Sequence, residues 1–69
     1  MDDKVFQQAI DDAFPLEVSL WLADTYEEWK DGDIDDDELY EKLMALLEDG
    51  SLSRDETEIV ENLIQDGFK

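Results

Sequence analysis

Carboxylates crowd one short stretch of this chain. Residues 31–38, here called the acidic segment, hold six Asp and Glu side chains in eight positions. At such a density carboxylates can bind hard cations, act in pairs as acid and base, or attract a basic protein surface. The residues around the segment discriminate among these three kinds of chemistry.

A dedicated cation site is disfavoured by the ligand positions. With Gly32 at the sixth position of a calcium loop, the segment resembles an EF-hand, because Glu38 then takes the place of the bidentate ligand. The first ligand would be Glu27 rather than Asp, and the third would be Trp29, whose side chain has no oxygen. We therefore expect no metal site and no cofactor, and we keep a weak divalent-cation-responsive acidic module as one alternative function.

Catalysis has little support among the residue types. The chain contains no His and no Cys, so the commonest general base and the thiolate nucleophile are missing. Ser19, Ser51 and Ser53 have no base partner in the pattern, and the sequence has no glycine-rich phosphate loop. We predict that the protein is not an enzyme.

The net charge decides which macromolecules the chain can approach. The sequence has 22 Asp and Glu against 5 Lys and Arg, a formal net charge of −17 on 69 residues. Nucleic acid and anionic membranes repel such a surface, whereas a basic protein attracts it. The charge exceeds the magnitude of about 2–8 usual for a small soluble domain. Solubility and adaptation to high salt are the alternative explanations of the acidity.

Helical spacing of the apolar residues predicts the scaffold that carries this charge. Apolar residues recur at three- and four-residue steps in four segments, with breaks at Pro15, Gly32 and Gly50. Asp35 and Ser53 each stand three residues before a Glu, which is the spacing of a capping box. We predict an all-α fold, a compact bundle of three to four short helices, in which residues 1–69 form a single acidic domain.

Three finer expectations concern burial and helix ends. The first apolar stripe includes Phe14, and the second segment is apolar nearly all round in its first half. We therefore expect the second helix, with Trp21, to be the most buried one. Gly67 follows an Asp, as Gly32 and Gly50 do, and is expected to stop the last helix.

The crowded charge also bears on stability and location. Carboxylates that repel one another in the folded state predict marginal stability that rises with salt and on mild acidification. The N-terminal residues lack the pattern of a signal peptide, and no apolar run approaches the roughly 20 residues that span a bilayer. We expect a cytoplasmic location, the host cytoplasm if the protein is viral.

The acidic segment and its neighbours form the predicted binding site. Helices with carboxylates on exposed turns can imitate duplex DNA, which carries one charge per roughly 1.7 Å of axis. The first hypothesis is an inhibitor that occupies the basic nucleic-acid-binding surface of a partner protein and does not itself bind nucleic acid. Its predicted contact residues are Glu27, Glu28, Trp29, Asp31, Asp33, Asp35, Asp36, Asp37, Glu38, Tyr40 and Glu41.

In general appearance the chain resembles the small acidic helical proteins with which phages inhibit host nucleic-acid-binding enzymes. The resemblance rests on no motif and assigns no family. The second hypothesis is an adaptor or oligomerisation module, a homodimer included, that binds through an apolar or aromatic helical surface. Trp29 fits either hypothesis, as a binding anchor or as a packing residue at the edge of the core. Binding should depend strongly on salt in the first case and weakly in the second.

Overall fold

A computed structural model describes residues 1–68, and in that range the chain forms four helices and no strand. In chain order the helices are α1 (Asp3–Ala13), α2 (Glu17–Asp31), α3 (Asp36–Asp49) and α4 (Arg54–Gly67). The predicted all-α helical bundle is therefore confirmed. Among these helices, none combines the length and the hydropathy that crossing a bilayer requires.

Side-chain oxygens cap the helix starts that the sequence marks. The Asp2 carboxylate accepts hydrogen bonds from the backbone N–H groups of Lys4 and Val5 at the start of α1. At the start of α3, Asp35 Oδ1 accepts the Glu38 N–H at 2.8 Å. Each bond satisfies a donor that has no partner within the first turn of a helix.

The start of α4 has the complete capping box. Ser53 Oγ accepts the Glu56 N–H at 3.2 Å, and Glu56 Oε1 accepts the Ser53 N–H at 3.0 Å. Glu56 Oε2 also accepts the Val18 N–H at 3.2 Å. The cap of α4 therefore ties that helix to the start of α2 as well.

Glycines mark the ends of α2, α3 and α4 in two different ways. Gly32 and Gly50 have φ values of 84° and 73°, the left-handed conformation that a glycine adopts with least strain. Gly67 is the last residue of α4, as expected, but it is buried and keeps a negative φ. A Cβ at Gly67 would overlap the side chain of Met1, so this glycine lets the N-terminal residue pack against α4.

The core lies between α1 and its neighbours. α1 packs mainly on α2 and α4, whereas α3 packs on α4 and less extensively on α2. The largest fully buried side chains are Phe6, Leu22, Leu39, Leu43, Val60 and Leu63. Because all four helices contribute to this cluster, each is held by tertiary packing rather than by helix propensity alone.

The expectations about the burial of Phe14 and of Trp21 need correction. Phe14 does not extend the stripe of α1, because the residue before Pro15 avoids the helical region and adopts an extended backbone. Its side chain is 75% exposed. In α2, Leu20 is 73% exposed and Trp21 is only half-buried, so this helix is not buried all round.

Candidate functional site

The acidic segment joins α2 to α3, and its backbone is held at both ends. The Gly32 N–H donates to the Trp29 carbonyl at 3.2 Å, and the Asp33 N–H donates to the Glu28 carbonyl at 2.9 Å. Ile34 is buried in the core, with 7% of its surface exposed. Asp35 then caps α3. The segment therefore has a defined path over the surface.

All six carboxylates of the acidic segment are exposed, but they differ in what they already bind. Asp35 is engaged in the cap of α3. Asp36 Oδ2 accepts the N-terminal amine of Met1 at 2.6 Å, and its Oδ1 accepts Trp29 Nε1 at 2.7 Å. Within residues 1–68 no protein group forms a hydrogen bond or ion pair with the other four side chains, those of Asp31, Asp33, Asp37 and Glu38.

Asp36 is therefore a junction between three parts of the fold. The hydrogen bond from the N-terminal amine, and then that from Trp29, holds the pKa of Asp36 below its usual value. The carboxylate connects the N-terminus and the last turns of α2 to the first turn of α3. Among the predicted contact residues, Asp36 has the clearest structural role, because its carboxylate binds both the N-terminal amine and Trp29.

Trp29 is half-buried and belongs to an aromatic cluster. Its ring centroid lies 6.0 Å from that of Phe6 and 6.0 Å from that of Tyr26. The ammonium of Lys30 lies 5.8 Å from the centre of its ring. Packing against Phe6 and Tyr26 is a sufficient structural role for Trp29. Its role as an anchor for a partner protein stays a prediction.

Tyr40 keeps more of its surface available. It is 42% exposed and stands edge-on to Phe68, with 5.3 Å between ring centroids.

Glu41 follows Asp37 by four positions on α3, and Glu27 precedes Asp31 by four positions on α2. Residues four apart share a helix face, so Glu41 extends the acidic segment along α3 and Glu27 extends it along α2. Glu27, Glu28 and Glu41 are all exposed.

A second polar cluster, around Asp3, was not predicted from the sequence. The Tyr26 hydroxyl donates to Asp3, Gln7 Nε2 lies 3.3 Å from Asp3 Oδ1, and Lys30 Nζ lies 3.4 Å from its Oδ2. The hydrogen bond from Tyr26 is the main reason that the pKa of Asp3 is lowered. Asp3 and Gln7 have helical spacing, but Tyr26 and Lys30 are 23 and 27 residues away, which no local pattern reveals.

Exposed apolar side chains lie close together in the sequence at the corner between α1 and α2. We call Phe14, Leu16 and Leu20 the apolar corner; they are 75%, 36% and 73% exposed. Two signals in the sequence could have revealed this corner. One is the position of Phe14 before a proline, and the other is an excess of apolar residues in α2 over what one helix face can bury.

Neither the arrangement of acidic side chains nor comparison with known proteins assigns a function to this chain. Within residues 1–68 no three acidic side chains are arranged to hold a metal ion. Comparisons with protein-family models, curated proteins and solved structures found no match for this chain. The fold and surface define a small, acidic, all-α domain, and its function has to be argued from that surface.

Proposed function

We propose that the protein is a non-enzymatic inhibitor that occupies the basic nucleic-acid-binding surface of a partner protein. The observation that carries the proposal is the acidic segment, six exposed carboxylates on a backbone held by Gly32, Ile34 and Asp35. Charges on an ordered backbone lose less conformational freedom on binding than charges on a mobile one. Their field steers a basic partner into position.

The charge of the chain supports the comparison with a duplex. The longest dimension of the Cα trace is 29 Å. A duplex with one charge per 1.7 Å of axis carries about 17 charges over that length. The formal net charge of the chain is −17, and leaving out Lys69 changes it by one unit. A surface of Lys and Arg would therefore meet a similar charge per unit length on either molecule.

Several carboxylates stand where they lower helix stability. Asp11 and Asp12 lie in the last turn of α1, and Glu48 and Asp49 lie in the last turn of α3, with no basic residue in either turn. The helix dipole disfavours an acid there by about 0.3–1 kcal/mol. Residues that violate a local stability preference are expected where binding, rather than folding, favours them.

The proposal specifies the partner by its chemistry. The partner is a basic protein that binds nucleic acid, and the chain competes for that site without binding nucleic acid itself. An antagonist of the phage type, acting in a host cytoplasm, would have these properties. The inhibitor needs neither metal nor cofactor for this role.

The test compares two variants that lose the same charge. One neutralises the four unengaged carboxylates of the acidic segment, as Asp31→Asn, Asp33→Asn, Asp37→Asn and Glu38→Gln. Its matched control neutralises four exposed carboxylates elsewhere, as Glu17→Gln, Asp55→Asn, Glu58→Gln and Glu61→Gln. Asp35 and Asp36 are left intact because the cap of α3 and the N-terminal contact use them.

Proteins that the immobilised wild-type chain retains from a host lysate at low salt are purified and mixed with labelled DNA or RNA. We expect the wild-type chain to displace the nucleic acid, the first variant to do so weakly with a flatter salt dependence, and the control to stay close to wild type. Equal loss in both variants would mean that only net charge matters. Binding without displacement of nucleic acid would reject the proposal.

One observation favours the second candidate function, an adaptor or oligomerisation module. The apolar corner is the kind of exposed surface through which such a module binds. Loss of partner binding in a variant of that corner, combined with weak dependence on salt, would favour this candidate over the inhibitor.

A further inference from the structure

We infer that the apolar corner is a binding knob, which inserts into an apolar pocket bordered by Lys and Arg side chains on a partner protein. Leu16 and Asp31 lie at opposite ends of α2, about 22 Å apart at 1.5 Å per residue. The knob is therefore a surface separate from the acidic segment. The inference does not depend on whether the partner binds nucleic acid.

The three side chains of the knob lie within seven consecutive residues. Leu16 is the N-cap of α2, and Leu20 follows it by four positions near the start of that helix. Phe14 is the C-cap of α1, with an extended backbone that carries it out of the apolar stripe of that helix. Single exposed apolar residues are ordinary, whereas a group of large ones at one corner is often a functional surface.

Although α2 buries Val18 and Leu22, three of its positions depart from what stability favours. Ser19 and Thr25 are buried, with 6% and 5% of their surface exposed, while Leu20 faces solvent. The Ser19 hydroxyl must donate to the Ile10 carbonyl, at 3.2 Å, to be accommodated. Burying a leucine side chain would instead stabilise the fold. A helix that buries hydroxyls and exposes Leu20 is arranged for contact with another molecule.

Charge around the knob identifies the chemistry of its partner. Asp11 and Asp12 precede Phe14, while Glu17 and Asp24 stand three positions before and four after Leu20, and all four carboxylates are exposed. Residues 5–29 contain no Lys or Arg. A pocket that receives the knob therefore complements it with basic residues at its border. The apolar centre then supplies affinity, and the charged rim supplies orientation and rate.

A second copy of the chain fits the knob poorly. A symmetric pair would bring two identical acidic rims together, on molecules that each carry a net charge of −17. The three side chains expose on the order of 300 Å², less than the about 800 Å² that each partner buries in a stable interface, so any partner has to contact the acidic rim as well. A small knob of this size suits a concave pocket.

The test uses two synthetic helical peptides of equal length and equal lysine content. One carries a leucine stripe bordered by lysines, which is the chemistry inferred for the partner, and the other has alanine in place of each leucine. Labelled peptides are titrated with the wild-type chain, with the double variant Phe14→Ser/Leu20→Ser, and with Ala45→Ser as a control at an exposed apolar residue of α3. We expect the wild-type chain and the control to prefer the leucine peptide by about tenfold, the scale of one buried apolar side chain.

The double variant should bind both peptides equally and keep the wild-type affinity for the alanine peptide. The variant that neutralises Asp31, Asp33, Asp37 and Glu38 should weaken both peptides alike and keep the tenfold ratio, so this test is distinct from that of the inhibitor. Equal affinity of the wild-type chain for the two peptides would overturn the inference, as would an unchanged ratio in the double variant. Sedimentation that shows a wild-type dimer absent from the double variant would overturn it in favour of a second copy.

Discussion

At the scale of single residues, a few carboxylates hold the fold together while most face solvent. Asp3, Asp36 and Glu56 each accept more than one hydrogen bond, and each has a pKa below its ordinary value. The main causes are the Tyr26 hydroxyl for Asp3, the N-terminal amine for Asp36 and the Ser53 N–H for Glu56. These three acids therefore favour folding in their ionised form.

Their lowered pKa values predict that stability falls in acid. The unfolded chain takes up protons at the ordinary values, 3.8 for Asp and 4.5 for Glu, before the folded chain does, so protonation favours unfolding. The contribution is fully present above these values and is lost as pH falls through the lower folded ones. Urea denaturation at about pH 5 and about pH 3 should show this loss, and Asp36→Asn should reduce it.

A loss of stability in acid is opposite in sign to the rise in stability on mild acidification that charge repulsion predicts. Repulsion raises carboxylate pKa values and stabilises the fold on mild acidification, above the range in which Asp3, Asp36 and Glu56 titrate. Stability that stays constant or rises between about pH 5 and about pH 3 would show that repulsion outweighs the three hydrogen-bonded acids.

At the scale of helices, the capping box of α4 has the clearest energetic role. Ser53→Ala removes the acceptor for the Glu56 N–H and should lower the free energy of unfolding by about 1 kcal/mol. Ser51→Ala is the matched control, because Ser51 is exposed and lies before the cap. Equilibrium denaturation in urea measures both variants. Equal effects of the two substitutions would contradict the assignment of Ser53 as the cap.

Local signals explain why the helices were predictable. Proline, Asp-Gly pairs and cap spacings act over a few residues, so the breaks near Pro15, Gly32 and Gly50 could be placed from the sequence. The excess of apolar residues in α2 indicates that some of them are exposed, but only packing against α1 decides that Leu20 is one of these. Likewise, the sequence places Asp36 in a dense acidic segment, but only the fold brings Met1 and Trp29 to it.

At the scale of the whole molecule, repulsion among the 22 acids opposes a small number of charge pairs. Ion pairs within residues 1–68 include those between the N-terminal amine and Asp36, at 2.6 Å, and between Lys30 and Asp3, at 3.4 Å. Salt weakens both pairs, and it also screens the repulsion. Since exposed pairs of this kind contribute at most about 1 kcal/mol, the repulsion between many unpaired carboxylates should dominate.

The last prediction is therefore that the thermal midpoint rises with sodium chloride at neutral pH. Screening shortens the Debye length from about 30 Å at 0.01 M to about 10 Å at 0.1 M, a change comparable to the 29 Å dimension of the molecule. Most of the rise should occur in that interval, where screening changes most, and a neutral osmolyte of equal osmolality should not reproduce the same dependence. The variant that neutralises Asp31, Asp33, Asp37 and Glu38 should start from a higher midpoint and gain less from salt. A midpoint that falls as salt is added would mean that the ion pairs of Asp36 and Asp3 outweigh the repulsion.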